Sequence, residues 1–262
     1  MVVLFVEESR STIMSPLHSV QRDGIEMDTA AGHAASIARI EPGPFWCPFG
    51  AFGLGPFGHK DPVFNKEVKR DMAAWKGIVG KSYTSDEFDA YCHTLHWSAW
   101  RPSFIVLHNT GAPSLAQRPD GLTGKHIQNL EAFYRDTQKW SAGPHLFIDD
   151  RQIWVFTPLT VSGVHSPSWN SVSIGIEMLG DYDTEAFDSG RGLAVRKHTV
   201  SAIATLSAVL GLDAGTMKIH REDPKTTHAC PGKHVRKLEV IQDVQDLIEA
   251  RHHGAHLTHP DP

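Results

Sequence analysis

The stretch SFIVLHNTG, residues 103–111, contains a short apolar run that ends in polar residues and a glycine. Such a run, bounded by turn-forming residues, is typical of a buried β-strand that leads into a loop. His108 stands at the end of the apolar run, where a side chain emerges at the edge of a sheet. The stretch therefore predicts a buried strand with a chemically useful histidine at its end.

Segments on both sides of this strand alternate between helical and strand patterns. Thr84 and Glu87 have the spacing of a capping box ahead of a helix. Apolar residues recur at helical spacing in three further stretches, at 126–140, 196–212 (closed near Gly211) and 234–252. Strand patterns occupy HLFIDDRQIWVF (145–156), which reads as a hairpin turning at DDRQ, and SVSIGIEMLG (171–180). This alternation predicts an α/β fold with a mixed central β-sheet flanked by helices.

The chain is expected to have three parts. Residues 1–68 include EPGPFWCPFGAFGLGPFGHKDP (41–62), which is rich in Gly, Pro and Phe and has no helical or strand period. We expect a disordered leader here, with an arm that binds the cell wall or a partner as the alternative. Residues 69–250 are expected to form one domain, and 251–262 a histidine-rich tail.

Composition and charge exclude several classes of protein. The net charge of −5 and the lack of a basic run argue against a nucleic-acid partner. Three scattered cysteines are not a disulfide framework and suit a reducing compartment. The start, MVVLFVEESRS, lacks the basic region of a signal peptide, and no apolar stretch is long enough for a membrane span. We therefore expect the chain to be cytoplasmic as synthesised. We also expect a monomer.

The segment THACPGKHV, residues 227–235, contains the cysteine of greatest interest. Cys230 could pair with His228 as a nucleophile, could pack before the Pro-Gly turn, or could bind a metal. The nucleophilic pair is disfavoured because residues at i and i+2 on an extended segment are not held at hydrogen-bond geometry. A metal is favoured by His220, ten residues earlier, and by His108, since catalytic zinc takes three ligands from His, Cys and carboxylate.

Four motifs together resemble a known family. FIVLHNTGAP, SAGPHLFI, SVSIGIEMLG and IHREDPKTTHACPG occur in the order and roughly the spacing of the type 2 N-acetylmuramoyl-L-alanine amidases. That family includes phage lysozyme-like amidases and the peptidoglycan recognition proteins. The resemblance covers about residues 97–240.

The resemblance implies a site residue by residue. One zinc ion per chain would be held by His108, His220 and Cys230. Glu177 falls where many members place an acidic catalytic residue. Other members use a tyrosine at the position that is Pro144 here, so the chain fits the glutamate-using branch.

Substrate contacts are implied around these residues. Many members place a lysine two residues before the third ligand, and His228 stands there instead. A protonated His228 would stabilise the oxyanion, and Lys225 is the alternative. The family also has a substrate-facing histidine near His165, so we expect His165 to bind substrate. Trp169 and Asn170, in the same loop, are further candidate cleft residues, and Lys225 is a fourth candidate for substrate binding. His145 is expected to pack or to make a supporting hydrogen bond.

The implied activity is zinc-dependent hydrolysis of the amide between N-acetylmuramic acid and L-alanine in peptidoglycan or muropeptides. A phage endolysin that acts on the cell wall and a bacterial recycling enzyme both fit. The main alternative is a non-catalytic peptidoglycan-binding module on the same fold, and a weaker one is a zinc peptidase that cuts stem peptides. Binders of this class typically lack the cysteine ligand, so Cys230 favours the enzyme.

Overall fold

The computed structural model describes residues 74–97 and 99–258. The predicted leader at 1–68 lies outside the described residues, as do the last four residues of the predicted tail. The strands are β1 (Lys81–Tyr83), β2 (Phe104–Asn109), β3 (Leu146–Ile148), β4 (Ile153–Val155), β5 (Ser173–Met178) and β6 (Lys218–Ile219). The α-helices are α1 (Ser85–His93), α2 (Gly124–Ala132), α3 (Gly190–Leu210) and α4 (Lys237–Thr258).

Within the described part of the chain, the strands form one six-stranded sheet in the order β1-β4-β3-β5-β2-β6. β3 and β4 form an antiparallel hairpin, and β1 pairs antiparallel with β4. β5 runs parallel to both β3 and β2, and β2 runs parallel to β6. The sheet is therefore mixed, and its parallel part brings the carboxyl ends of β2, β5 and β6 to one edge.

Side chains alternate between the two faces of the central strands, as the period of a strand requires. Ile105 and Leu107 of β2 belong to the hydrophobic core, together with Ile174 and Ile176 of β5. The opposite face of these strands carries His108, Gly175 and Glu177. On β2 and β5, one face thus packs into the core, and the other carries His108 and Glu177 side by side.

The helices cover the sheet as the sequence predicts. α3 packs against α1, against α4 and against strands β3, β4 and β5. The α/β prediction with a mixed central sheet is confirmed. None of the described helices is long and apolar enough to cross a membrane.

Local signals place most element ends correctly. Thr84 and Glu87 form the predicted capping box of α1. α3 ends at Gly211, whose φ of 68° is the left-handed conformation that glycine adopts without strain. The helix predicted over 126–140 is not α-helical throughout. α2 ends at Ala132 and is followed by a π-helical turn at Phe133–Thr137. α4 continues to Thr258, into the segment expected to be the tail.

Candidate metal centre

Pairing of β2 with β6 brings two histidines side by side. Leu107 pairs with Ile219. His108 follows Leu107 on β2, and His220 follows the last residue of β6, at the start of a short 3-10 turn. Their ring centroids are 4.4 Å apart, and their side chains are 3% and 2% exposed. Residues 112 positions apart in the sequence therefore meet at the carboxyl edge of the sheet.

A loop then returns Cys230 to the same place. Arg221 N–H donates to the carbonyl of Cys230 at 2.9 Å, which closes the segment between His220 and Cys230. The backbone N–H of Asn109 lies 3.4 Å from Cys230 Sγ and donates to it. The loop that the sequence suggested could fold back does so, and it carries the thiol to the end of β2.

The three side chains form a donor set that suits zinc. One nitrogen of His108, one nitrogen of His220 and Cys230 Sγ all lie within 4.8 Å of one another, and all three residues are buried. Zinc binds imidazole nitrogen at about 2.0–2.1 Å and thiolate at about 2.3 Å, so one ion can reach all three. Two imidazoles and a thiolate leave a fourth tetrahedral position for a water or a substrate.

Electrostatics keep both imidazoles neutral, which is the form that binds a metal. Burial, with a smaller effect from His220 and His165, holds the pKa of His108 well below its usual range. Burial, followed by the nearby His228, lowers the pKa of His220 to about 4. The lone pairs of these rings are therefore available at neutral pH.

Glu177 stands directly beside His108 in the sheet. The two residues are paired across β5 and β2, so their side chains leave the same face. Glu177 is partly exposed, whereas its neighbours Ile176 and Met178 are fully buried. A carboxylate that is open to solvent beside the metal ligands can exchange protons with a water molecule in the site.

Tyr134 is a neighbour of Glu177 that sequence reasoning missed. It lies in the π-helical turn after α2, and its side chain is 6% exposed. Burial and then the charge of Glu177 raise its pKa well above the usual range. The helical apolar spacing of 126–140 marked Tyr134 as a core residue, and only the fold brings it near the carboxylate. π-helical turns are frequent at functional sites.

Two residues, His228 and Lys225, are expected to stabilise an oxyanion, and His228 lies near one of the ligand candidates. Its ring centroid is 6.0 Å from that of His220, and the residue is half-buried. Lys225 is exposed, and its backbone N–H donates to Asp223.

The three residues near the Glu177 strand that are expected to contact substrate differ in burial and in their partners. Trp169 is half-buried, packs edge-on against Phe104 and lies under the Lys218 ammonium, 5.4 Å from its ring centre. The Asn170 side chain accepts from the backbone N–H groups of His165 and Ser166, both at 2.7 Å, so it supports the loop. The His165 ring is 3% exposed and lies against His108, so it forms part of the interior rather than an open cleft wall.

Asp223 lies in the segment 220–230, here called the ligand loop, and joins it to the loop at 165–170. No clear sequence signal predicts this role. Its carboxylate accepts from Ser166 Oγ at 2.5 Å and from the backbone N–H of Ser168 at 3.0 Å. Burial raises the pKa of this carboxyl, but the bonds from Ser166 and Ser168 outweigh it and lower the pKa to about 2. The charged carboxylate therefore fixes the start of the loop that ends at Cys230.

This fold and this donor set define an α/β protein with a candidate three-ligand metal centre at the carboxyl edge of its sheet. A family model described as N-acetylmuramoyl-L-alanine amidase matches residues 98–233, just over half of the chain. The chain belongs to this family.

Individual proteins of known name are also similar to this chain. Peptidoglycan-recognition protein SC2 of Drosophila melanogaster is 27% identical over 135 residues, which are 51% of this chain and 70% of the relative. Among solved structures, the endolysin amidase LysCS from Clostridium intestinale is 19% identical, with a TM-score of 0.45, over 58% of this chain and 92% of that one. Wild-type PGRP-LB of Drosophila is 21% identical, with a TM-score of 0.43, over 53% of this chain and 78% of that one.

Proposed function

We propose that the chain is a zinc-dependent amidase that hydrolyses the bond between N-acetylmuramic acid and L-alanine in peptidoglycan or its fragments. The observation that carries this proposal is the convergence of His108, His220 and Cys230, with Glu177 paired beside His108. Family membership supplies the substrate class, and the donor set supports a single zinc ion.

The chemistry needs an activated water and a stabilised tetrahedral state. When bound, zinc would supply Lewis-acid activation of a water molecule and of the amide carbonyl. Glu177 accepts the proton of the attacking water and returns it to the leaving amine. His228 donates a hydrogen bond to the developing oxyanion. A contact of this type lowers the activation free energy by about 3 kcal/mol. Cys230, as a thiolate, offsets part of the positive charge of the site.

Substrate contacts beyond the reacting amide are proposed for Trp169, which is half-buried in the loop before β5. Lys225 is proposed as a second cationic contact because it is exposed in the ligand loop. His165 and Asn170 support this loop from within. The same fold without metal chemistry would be a peptidoglycan-binding module, and the following measurements separate it from an enzyme.

The test combines metal content with product analysis. We expect the purified full chain to contain about one zinc per chain, and Cys230→Ser to lose most of it. Purified peptidoglycan should release free stem peptides with a new amino terminus at L-alanine, and a chelator should stop that release. Binding to peptidoglycan without released products would identify a binder, whereas cuts inside the stem peptide would identify a peptidase.

A further inference from the structure

His165 lies directly against a metal-ligand candidate. Its Nδ1 is 3.1 Å from Nε2 of His108, and the two rings are nearly perpendicular, at 87°. Both side chains are 3% exposed, so solvent does not share this contact. One of the two nitrogens must donate the proton and the other must accept it.

The surroundings of His165 Nε2 determine whether His165 Nδ1 or His108 Nε2 donates in this contact. Nε2 of His165 lies 3.2 Å from the carbonyl oxygen of Ser173, and a carbonyl only accepts. The Ser173 hydroxyl is 3.4 Å from the same nitrogen and already donates to the carbonyl of Trp169 at 2.7 Å. Nε2 of His165 therefore carries the proton. Because a neutral imidazole has one N–H and one lone pair, its Nδ1 must accept.

The neutral state of His165 follows from its surroundings. Its side chain is 3% exposed, and a charged ring in such a place would need a carboxylate to accept from it. The hydrogen-bond partners of the His165 ring described above are an imidazole, a carbonyl and a hydroxyl. None of them is a carboxylate. A neutral ring with Nε2–H thus presents a lone pair to His108.

We propose that His165 is a positioning residue that accepts the Nε2–H of His108 and thereby fixes the Nδ1 lone pair of His108 as the one offered to the metal. A metal-binding histidine usually donates its other N–H to a fixed acceptor, which sets both its tautomer and its ring orientation. This role rests on the proposed metal centre and gives His165 a task other than the substrate contact that the sequence implied.

The surrounding chain holds the acceptor in place. A Cβ at Gly175 would lie 2.3 Å from Cγ of His165, so the glycine of β5 makes room for the ring. The side-chain oxygen of Asn170 accepts from the backbone N–H of His165 at 2.7 Å. The surrounding chain therefore holds the backbone, the ring face and both ring nitrogens of His165.

His145 provides a matched control in the same region. It is also fully buried, and its ring is 5.8 Å from that of His165. Its Nδ1 accepts from the backbone N–H of Gly175 and its Nε2 donates to the carbonyl of Val161, both at 3.0 Å. Both nitrogens are therefore engaged by the backbone, and neither acts on His108.

The first experiment measures zinc affinity of the full chain by competition with a chromophoric chelator. His165→Leu removes the acceptor but keeps an apolar side chain, and we expect zinc affinity to fall about 10- to 100-fold. His165→Asn places an amide oxygen near the lost Nδ1, so it should recover part of the affinity. His145→Leu should stay close to the wild type, and thermal unfolding of the metal-free variants separates this effect from general destabilisation.

The second experiment reads the tautomers directly, so it does not depend on any variant folding. Histidine side-chain ¹⁵N NMR of the metal-free wild type should show protons on Nε2 of both His108 and His165. A proton on Nδ1 of His108, or wild-type zinc affinity in His165→Leu, would overturn this inference alone. A wild type that binds no zinc would overturn it together with the proposed function.

Discussion

Glu177 combines two properties at the scale of a single residue: it is paired beside a metal-ligand candidate and it remains partly open to solvent. Glu177→Gln keeps the shape of the side chain and removes the base. We expect hydrolysis to fall by about 10²-fold or more, within the range of general-base effects. Zinc content and binding to peptidoglycan should persist, which distinguishes lost chemistry from lost structure.

The control for this change is Glu131→Gln. Glu131 is a carboxylate on α2 that pairs with Arg135 at 3.2 Å. Because surface pairs contribute little, its loss should leave hydrolysis near the wild-type rate. Full activity in Glu177→Gln would remove the proposed mechanism.

His228 and Lys225 can be separated by comparing their alanine variants. We expect His228→Ala to lower the rate of hydrolysis on the order of 10²-fold, as the loss of one oxyanion donor does. Lys225→Ala should cost much less, since Lys225 is exposed and His228 is near His220. His228→Lys should restore part of the rate, because an ammonium also donates. The reverse ranking, measured as kcat on soluble muropeptides, would assign the role to Lys225.

Part of the candidate site could be predicted from single residues, and part could not. His108 follows an apolar run and His220 precedes Cys230 by ten residues, so local pattern and family motif together identified these three. The burial of His165 has no such signal, because its loop reads as polar and turn-rich. Its contact with His108 spans 57 positions and depends on how the loop packs against β5.

At the scale of elements, Gly175 joins strand β5 to the candidate metal centre, because the His165 ring packs on it. Gly175→Ala would place a Cβ 2.3 Å from the His165 ring, which has to move. We expect weaker zinc binding and a loss of roughly 1–3 kcal/mol in the free energy of unfolding, the usual cost of overpacking a core. Chelator competition and denaturant unfolding measure the two effects.

A second glycine provides the control for that prediction. Gly124 begins α2, and a Cβ there meets nothing within 4 Å. Gly124→Ala should therefore leave zinc affinity unchanged. Unchanged zinc affinity in Gly175→Ala as well would show that the position of His165 does not matter to the metal.

The sequence predicted the ends of helices correctly where a short-range signal determines them. The capping box of α1 and the left-handed Gly211 are short-range devices, so the sequence predicted both. The π-helical turn after α2 is different, since Phe133 and Tyr134 keep an apolar helical spacing that does not distinguish it from an α-helix. Tyr134 stacks on Trp140, which is close in sequence, and meets Phe156 edge-on. The contact with Phe156, which lies on a different element, has no signal in the local pattern.

At the scale of the whole molecule, the described part of the chain carries its own core and the whole candidate site. The buried hydrophobic cluster runs from Phe88 to Val244, and the family match spans 98–233. A chain that begins at Lys69 should therefore fold and keep most of its activity on soluble muropeptides. Thermal unfolding and product release measure this, and an insoluble or inactive product would make residues 1–68 part of the domain.

The short edge strand β6 would make the stability of the folded chain depend on a bound ion. It is two residues long and joins the sheet through Val106 and Leu107, yet it precedes two of the three ligand candidates. An ion held by these residues would cross-link β2 to the segment that follows its neighbour β6, and the unfolded chain would offer no comparable site. Ion at a hundred times its Kd would add about 2.7 kcal/mol to the free energy of unfolding. Resistance to heat and to proteases would then follow metal supply, so scarcity would shorten the lifetime of the protein as well as stop its chemistry.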